Sequence, residues 1–203
     1  IHDDAMAHTN TRSLALHEAT YGISSDPLTE FACAFAALIL NVDHPGVSNE
    51  QLVEEKSNLA VLYRNECVSE QNSVAVAWGL LMEPSYKDLR ACIYTSQSEL
   101  ERFRHIVVNA VLATGILDEE RVTTQAVRWE DAFRCQPDSS VDGQTSNTNR
   151  RAMAVVENMM AASDLSHTMQ HWDVYVKWNE LLFDETYMTY LSGRCSNDPS
   201  QTW

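Results

Sequence analysis

One long stretch of the chain has apolar side chains at nearly every position of a helix. It runs from Phe31 to Leu40 and reads Phe-Ala-Cys-Ala-Phe-Ala-Ala-Leu-Ile-Leu. Just before it, Asp26 and Pro27 supply a capping side chain and a residue suited to the first helical position. A helix that is apolar around its whole circumference is typical of a protein core. The pattern therefore predicts a buried helix over residues 27–41.

Helical periodicity recurs along most of the remaining chain. Pro45-Gly46 ends the first helix, and Ser48 or Asn49 starts another. Apolar residues at helical spacing predict further helices, the main ones over about residues 69–82, 149–164 and 171–192. Another long helix is capped by Ser96 or Ser98 and runs to about residue 114. No alternating strand pattern, heptad run or internal repeat accompanies them. The predicted fold class is all-α, a multi-helix bundle.

Two polar segments complete the predicted organisation. Residues 1–26 show no sustained period and predict an irregular lead-in. Residues 135–148 are rich in Ser, Thr, Asp and Gln and carry turn chemistry throughout, which is typical of a loop. This stretch resembles a domain linker, but helical signals of the same kind resume beyond it. We interpret it as a surface loop, so that residues 1–203 form a single, partial domain.

The charge of the chain restricts its partners. The formal net charge is −15 at pH 7, from 14 Lys and Arg against 29 Asp and Glu. Binding of a nucleic-acid polymer needs a basic surface, so the balance argues against that partner. A small anionic substrate stays compatible with it where metal cations supply the local positive charge.

Cysteine usage and the ends of the chain bear on its compartment. Five cysteines are scattered without CxxC or zinc spacing, which suits a reducing compartment. The sequence shows no run of about eighteen apolar residues and no secretory signal. It begins at Ile1 rather than Met, which predicts a fragment of a longer protein. We expect a cytoplasmic domain, or the cytosolic part of a membrane-tethered protein.

Three acid and imidazole side chains stand out as candidates for chemistry. Asp164 interrupts an apolar stripe with Met153, Val156 and Met160, and a carboxylate there is costly unless it is paired or bound to metal. The simpler interpretation is an Asp near a helix end that bonds to its neighbours. The Asp43-His44 pair allows the same two interpretations, as metal ligands or as a turn and cap.

Four segments together resemble the class I cyclic nucleotide phosphodiesterases, within the larger group of His-Asp metal phosphohydrolases. Residues 36–49, Ala-Ala-Leu-Ile-Leu-Asn-Val-Asp-His-Pro-Gly-Val-Ser-Asn, resemble the signature ALIHDVDHPGxxN. Residues 67–75, Cys-Val-Ser-Glu-Gln-Asn-Ser-Val-Ala, resemble SVxEN(H/S)xxA. Residues 103–114 resemble the helix that ends in LATD, and 162–167 resemble the ADLSN or SDVSH segment. Their order and spacing also fit this family.

The resemblance implies an all-α domain that hydrolyses cAMP or cGMP to the 5′-nucleotide with two divalent metals, usually zinc and magnesium. Such metals bridge a hydroxide and stabilise the charge of the cyclic phosphate as the P–O3′ bond breaks. The cyclic nucleotide is then the small-molecule partner. Family members also form homodimers or are fused to a cyclase or regulatory module. The base-gripping Gln and Phe would follow the last helix, so the sequence predicts no preference between cAMP and cGMP.

The family's first metal is held by two His and two Asp, and only part of this set is matched. Asp164 stands at one Asp position, whereas the adjacent His-Asp pair falls on Leu40 and Asn41. Leu40 has no ligating atom, and Asn41 offers only a neutral amide oxygen. The remaining His ligand and the general-acid His belong to an HNxxHAxxV motif that residues 1–26 do not match. No catalytic residue is therefore retained.

The residues that surround the family's metal ligands are matched more fully. Five positions correspond to the outer Asp-His pair, the capping Asn, the Glu that holds metal-bound water and the threonine of LATD. They are Asp43, His44, Asn49, Glu70 and Thr114. The Asp that should follow this threonine is Gly115, which is a further loss near the second metal.

These matches and losses lead to one main hypothesis and one alternative. The main hypothesis is a metal-dependent phosphodiesterase domain of cyclic-nucleotide signalling. We expect its turnover to be impaired or absent, because the chain retains one of the four ligands of the first metal, which is too few for tight binding. The alternative is a catalytically inactive helical pseudoenzyme or fragment with a scaffolding or regulatory role.

Overall fold

The described part of the chain is built from helices and the turns between them. The structure, a computed structural model, describes residues 14–115, 119–134, 141–195 and 199–201, without the side chains of 119–121, 141–145 and 201. Within these ranges no β-strand occurs, and the all-α fold class is confirmed. The α-helices are α1 Pro27–Ile39, α2 Asn49–Glu54, α3 Asn58–Leu62, α4 Val68–Leu81, α5 Lys87–Ile93, α6 Gln97–Leu112, α7 Glu119–Phe133, α8 Val141–Leu165 and α9 Trp172–Leu191. Short 3₁₀ helices occupy Ile23–Ser25, Pro84–Tyr86, Ser166–Met169 and Pro199–Gln201.

Local side-chain chemistry fixes several helix starts. Pro27 occupies the first turn of α1, where its missing N–H costs no hydrogen bond. The Ser48 hydroxyl accepts a hydrogen bond from the Gln51 amide at the start of α2. At the start of α6, Ser96 and Glu99 form a reciprocal capping box, in which each side chain accepts from the backbone of the other. These starts agree with the sequence predictions in position, but the predicted cap by the Asp26 side chain is wrong: its carboxylate makes no capping bond and accepts from the side chains of Thr29 and Arg102 instead.

The main core forms where α1, α4, α6 and α8 meet around Phe103. Phe103 is completely buried, and α1 and α6 form the most extensive helix pair. Ala32 and Ala36 of α1 are also fully buried, and their small side chains let α6 approach closely. Val156 and Met160 close the core from α8.

A second, smaller cluster lies beneath the loop that follows α1. Val47, Leu52, Ala60 and Val68 are buried together and come from the loop and from α2, α3 and α4. This cluster is separate from the core around Phe103. It anchors the short helices α2 and α3, which are too short to be stable without tertiary contacts.

The prediction for α1 needs a correction, because only one face of this helix is buried. Leu38 is 77% exposed and Phe31 is 41% exposed, although both belong to the apolar run. The buried face carries Ala32, Ala36 and Ile39. The difference arises because the main neighbour of α1 among the described elements is a single helix, α6, which covers one side.

The two predicted irregular segments also differ from the structure. Residues 14–19 are helical, although 1–26 were expected to be irregular; residues 1–13 lie outside the described part. α8 begins at Val141, so 141–148 is helical rather than part of a loop, and 135–140 is not described. Once the apolar half of α8 is packed, each added residue gains a hydrogen bond, which favours extending the helix through polar residues.

The last helix, α9, lies mostly at the surface. It has no fully buried residue, and Trp172, Trp178 and Met188 are 59–68% exposed. Arg194, just beyond its end, is held by two hydrogen bonds of 3.0 and 2.8 Å to the Glu55 carboxylate, which also lower the pKa of Glu55. A search of the described residues found no helix with the length and apolar character needed to cross a membrane.

Candidate functional site

The loop after α1 is held in place by side chains of α4. The Ser73 hydroxyl donates to the Val42 carbonyl over 2.7 Å. The Asn72 amide donates to the Asp43 carboxylate over 3.0 Å, and Asp43 has a left-handed backbone with φ of 57°. Gly46 is left-handed too, and a Cβ there would stand 3.0 Å from a Glu185 carboxylate oxygen. The Asp-His-Pro-Gly turn is therefore held by hydrogen bonds from α4 and lies close to Glu185 of α9.

Asn49 joins this loop to the start of α4 through both ends of its amide. Its oxygen accepts from the Ser69 backbone N–H over 2.9 Å, and its nitrogen donates to the Glu70 carboxylate over 2.9 Å. The N-cap residue of α4, Cys67, makes no side-chain capping bond. Asn49 thus caps α4 from twenty residues earlier in the chain and orients Glu70 at the same time.

A cavity of about 760 Å³ opens beside Asn49 and Glu70. It brings together residues from distant parts of the chain, including His44, Asn49, Glu70, Thr114 and Asp164. Six residues of the chain match the family site in residue type, which leaves out the degenerate positions 40 and 41. Five of these six line this cavity. The sixth, Asp43, lies outside it and is bonded to Asn72.

The cavity is strongly acidic. Its carboxylates are Glu50, Glu54, Glu66, Glu70 and Asp164, and no Lys or Arg is among its described lining residues. An anionic ligand that entered it without accompanying cations would meet electrostatic repulsion from each of these groups. The chemistry of the cavity is therefore that of a site for cations.

The burial of Asp164 and the charges near it shift the pKa of its carboxyl group. Burial raises the pKa of its carboxyl group, the nearby His167 lowers it, and the Glu70 carboxylate raises it further. His167 also approaches the Asp164 carbonyl oxygen to 3.0 Å through its Nδ1 atom. The net effect is a pKa above the usual Asp range, since the ionised form is both desolvated and repelled.

Replacing Asp164 with Asn should change how stability depends on pH. A carboxyl group with a raised pKa holds its proton more firmly in the folded state, so wild-type stability falls as pH rises from the unfolded pKa of 3.8 through the raised folded pKa. The amide of the variant cannot ionise, so Asp164→Asn should lack this fall. Urea unfolding in EDTA at a series of pH values between about 3.5 and 7 would give the free energy of unfolding of wild type and variant as a function of pH. The difference between these two curves should decrease as pH rises. Parallel curves would contradict the assigned environment of Asp164.

The two degenerate positions lie outside the cavity. The Leu40 side chain is partly buried and packs against the main core cluster, and Asn41 is exposed. Gly115 does line the cavity, and a Cβ at that position would lie 3.3 Å from the Glu70 carboxylate and 3.6 Å from the Cys67 sulfur. The neighbouring Thr114 hydroxyl donates to the Val111 carbonyl over 2.8 Å, which turns the chain at the end of α6.

Two polar residues of the site, Asn72 and Ser73, were not singled out by sequence reasoning. Both are buried, and they hold Asp43 and the Val42 carbonyl in place. They belong to the segment 67–75 that carries the family resemblance, so the signal was present there. Their partners lie about thirty residues earlier, and spacing alone does not reveal such contacts.

The donor atoms of the site are too few for a tightly held metal ion. In the portion of the chain that is described, no group of three or more His, Cys, Asp or Glu side chains has a geometry that could hold one. Glu70 and Asp164 are near enough to influence each other, but a third strong ligand is missing at this point. The residues present therefore do not fit a tightly bound metal.

The family assignment follows from comparison with known proteins. Residues 3–196 match the family model described as 3′5′-cyclic nucleotide phosphodiesterase, which covers nearly the whole chain. The chain belongs to this family. The resemblance seen in its four sequence segments is thereby confirmed.

Curated relatives of this phosphodiesterase family chain include a probable 3′,5′-cyclic-AMP phosphodiesterase of Caenorhabditis elegans, 29% identical over 158 residues. That alignment covers 78% of this chain and 23% of the relative. A 3′,5′-cyclic-AMP phosphodiesterase of Drosophila melanogaster, isoform F, is 30% identical over 165 residues, with coverage of 80% and 24%. The chain thus spans about a quarter of the length of these relatives.

Solved structures agree on the fold. The phosphodiesterase domain of the RhoPDE fusion protein from the choanoflagellate Salpingoeca rosetta superposes with a TM-score of 0.62 at 22% sequence identity. The superposition covers 78% of this chain and 47% of that one. At this identity the likeness shows the helical architecture shared with phosphodiesterase domains.

Proposed function

We propose that this chain is a 3′,5′-cyclic nucleotide phosphodiesterase domain of cyclic-nucleotide signalling in which hydrolysis is impaired. The observation that carries the proposal is the cavity lined by His44, Asn49, Glu70, Thr114 and Asp164. These residues match the family's site in type and order, and the fold brings them to one place. Positions 40 and 41 do not match it in residue type.

The substrate class follows from the relatives. Both curated relatives described above are named as cyclic-AMP phosphodiesterases, so cAMP is the first substrate to test and cGMP the second. Family membership suggests the use of divalent metals, and zinc with magnesium is the pair that the resemblance implies. Fusion to a cyclase or regulatory module, a homodimer and a cytosolic location remain proposals.

The missing metal ligands explain why hydrolysis should fail. A cyclic phosphate is an anion, and the cavity opposes it with five carboxylates. Two cations in this site would neutralise the carboxylates, polarise the phosphate and supply a nucleophile at neutral pH. The described residues do not provide a ligand set for them. What the chain itself retains is the framework: Asn49 orients Glu70, and α4 fixes the Asp43-His44 turn.

The test measures metal content and turnover of the purified chain. After dialysis against micromolar zinc and millimolar magnesium, we expect zinc well below one equivalent per chain by elemental analysis. Hydrolysis of cAMP and cGMP should not exceed that of the Asp164→Asn variant, which serves as the matched control for trace contamination. One equivalent of bound zinc together with turnover that Asp164→Asn abolishes would contradict the impaired site.

A non-catalytic role is the second candidate, and the exposed helix α9 favours it. Trp172, Trp178 and Met188 are large apolar side chains that this helix leaves exposed and available for protein contacts. A pseudoenzyme that acts as a scaffold would use such a surface and would need no turnover. Turnover of cAMP by the wild-type chain would contradict this candidate as well.

A further inference from the structure

A second cavity, of about 500 Å³, lies between α1, α6, α7 and α8 and shares no lining residue with the acidic one. His105 and Asn109 of α6 and the stretch from Asn149 to Glu157 of α8 line it. Its lining residues on α6 are Arg102, His105, Ile106 and Asn109, whereas Thr114 and Gly115 of the acidic cavity lie beyond the end of that helix. The second cavity therefore lies along the middle of α6, and the acidic cavity lies beyond its C-terminal end.

The second cavity differs from the acidic one because arginines are part of its lining. Arg102, Arg128 and Arg150 line it, and so does the imidazole of His105. Its lining carboxylates are Asp131 and Glu157. Arg128 pairs with Glu157 over 2.8 Å, and Arg102 pairs with Asp26 from outside the lining. Three arginines thus line a space of ligand size, and two of them are already paired with a carboxylate. The acidic cavity has no Arg or Lys among its described lining residues.

Many hydrogen-bond donors of these side chains remain available. A guanidinium has five N–H donors, and Arg102 and Arg128 each use only one terminal nitrogen in these ion pairs. Arg150 has no hydrogen-bond or ion-pair partner within the described part of the chain. In a small adjoining cavity that also contacts Asn109 and Arg128, the buried Nε2 of Gln125 has no partner.

The floor of the cavity is apolar. Ile106, Ala154 and Val156 line it and are almost completely buried. Ligand sites of this volume characteristically combine an apolar lining with a few polar groups that fix orientation. Here the polar groups include three arginines, whose guanidinium donors suit a phosphate or a carboxylate.

We propose that this second cavity binds a small organic anion, with the anionic group on the arginines and an apolar body against Ile106 and Val156. Arg150 is the contact that determines affinity, because its guanidinium is free to pair with the ligand. The proposal does not depend on turnover at the acidic cavity, which would repel the same ligand.

Fluorescence titration with 1-naphthyl phosphate tests the proposal, with 1-naphthoate, 1-naphthol and inorganic phosphate as companion probes. We expect the two naphthyl anions to bind more tightly than 1-naphthol or phosphate, and their relative affinity separates phosphate from carboxylate recognition. Arg150→Gln should weaken binding about tenfold, the effect of losing one charge-assisted contact. Arg150 is exposed, so this variant should fold normally, which circular dichroism would verify.

Two control variants test whether the ligand occupies this cavity rather than the protein surface or the acidic cavity. Lys87→Gln removes the same charge at an exposed position outside the cavity and should change affinity less than about twofold. Asp164→Asn alters the acidic cavity and should leave binding unchanged. The proposal is overturned if no naphthyl anion binds at millimolar concentration, if 1-naphthol binds as tightly as the anions, or if Arg150→Gln binds like wild type. Tighter binding in Asp164→Asn, with no loss in Arg150→Gln, would place the ligand in the acidic cavity instead, because that variant removes one of the carboxylates that repel an anion there.

Discussion

Phe103→Ala should lower the free energy of unfolding by about 3–5 kcal/mol, a large part of the roughly 5–15 kcal/mol that keeps a domain folded. Phe103 is completely buried, so the change removes its whole apolar surface from the core and leaves a cavity. Its ring centroid also lies 5.6 Å from that of Phe35, 6.0 Å from Phe31 and 6.1 Å from Trp78. Aromatic contacts at such distances add stability beyond area burial.

Equilibrium urea unfolding followed by circular dichroism would measure this loss. Leu80→Ala is the matched control: it also shortens a helical apolar side chain, but Leu80 is half-exposed and should cost no more than about 0.5 kcal/mol. A loss below about 1 kcal/mol for Phe103→Ala, or equal losses for the two variants, would contradict the position of Phe103 at the centre of the core.

The helices that the sequence predicted well are those with strong local signals. The Asp26-Pro27 start, the Ser96 capping box and the apolar period of α9 each depend on residues within a few positions of one another. The start of α8 was missed because Ser, Thr, Asn and Gly favour turns when considered alone, whereas the packed half of α8 favours helix. α5 and α7 were not among the predicted helices, since one is short and the other largely polar.

The candidate site shows the same division between local and long-range information. Motif matching selected Asn49, Glu70 and Asp164, and the structure places all three at one cavity. Their family roles stay predictions. The bonds of Asn49 to the start of α4 and of Asn72 to Asp43 join residues twenty to thirty positions apart, and no local pattern encodes such pairings. The second cavity, with arginines from three helices, depends on tertiary packing entirely.

Restoring the lost ligands should restore metal binding, and only in combination. Four ligands of a structural zinc site supply about 10–16 kcal/mol, or roughly 3 kcal/mol each, so each ligand is worth on the order of a hundredfold in affinity. Leu40→His and Asn41→Asp replace an alkyl group and a neutral amide with ligands that zinc prefers. Gly115→Asp adds a carboxylate beside Glu70, where it is repelled until a cation is bound. We expect the triple variant to bind zinc at least about a hundredfold more tightly than wild type.

Zinc titration with a competing chelator, together with thermal unfolding with and without zinc, would measure the gain. Leu40 packs against the core, so Leu40→His should destabilise the apo protein, and zinc should reverse this loss in the triple variant alone. The matched control carries Leu40→Gln, Asn41→Gln and Gly115→Asn, which are polar but poorly ligating. If one of the three substitutions alone gave the full gain in zinc affinity, the ligands already present in the wild-type chain would form most of a metal site. If the triple variant bound no better than its control, the assignment of positions 40 and 41 to the metal would be wrong. The two outcomes separate an error in ligand assignment from an error in the predicted extent of ligand loss.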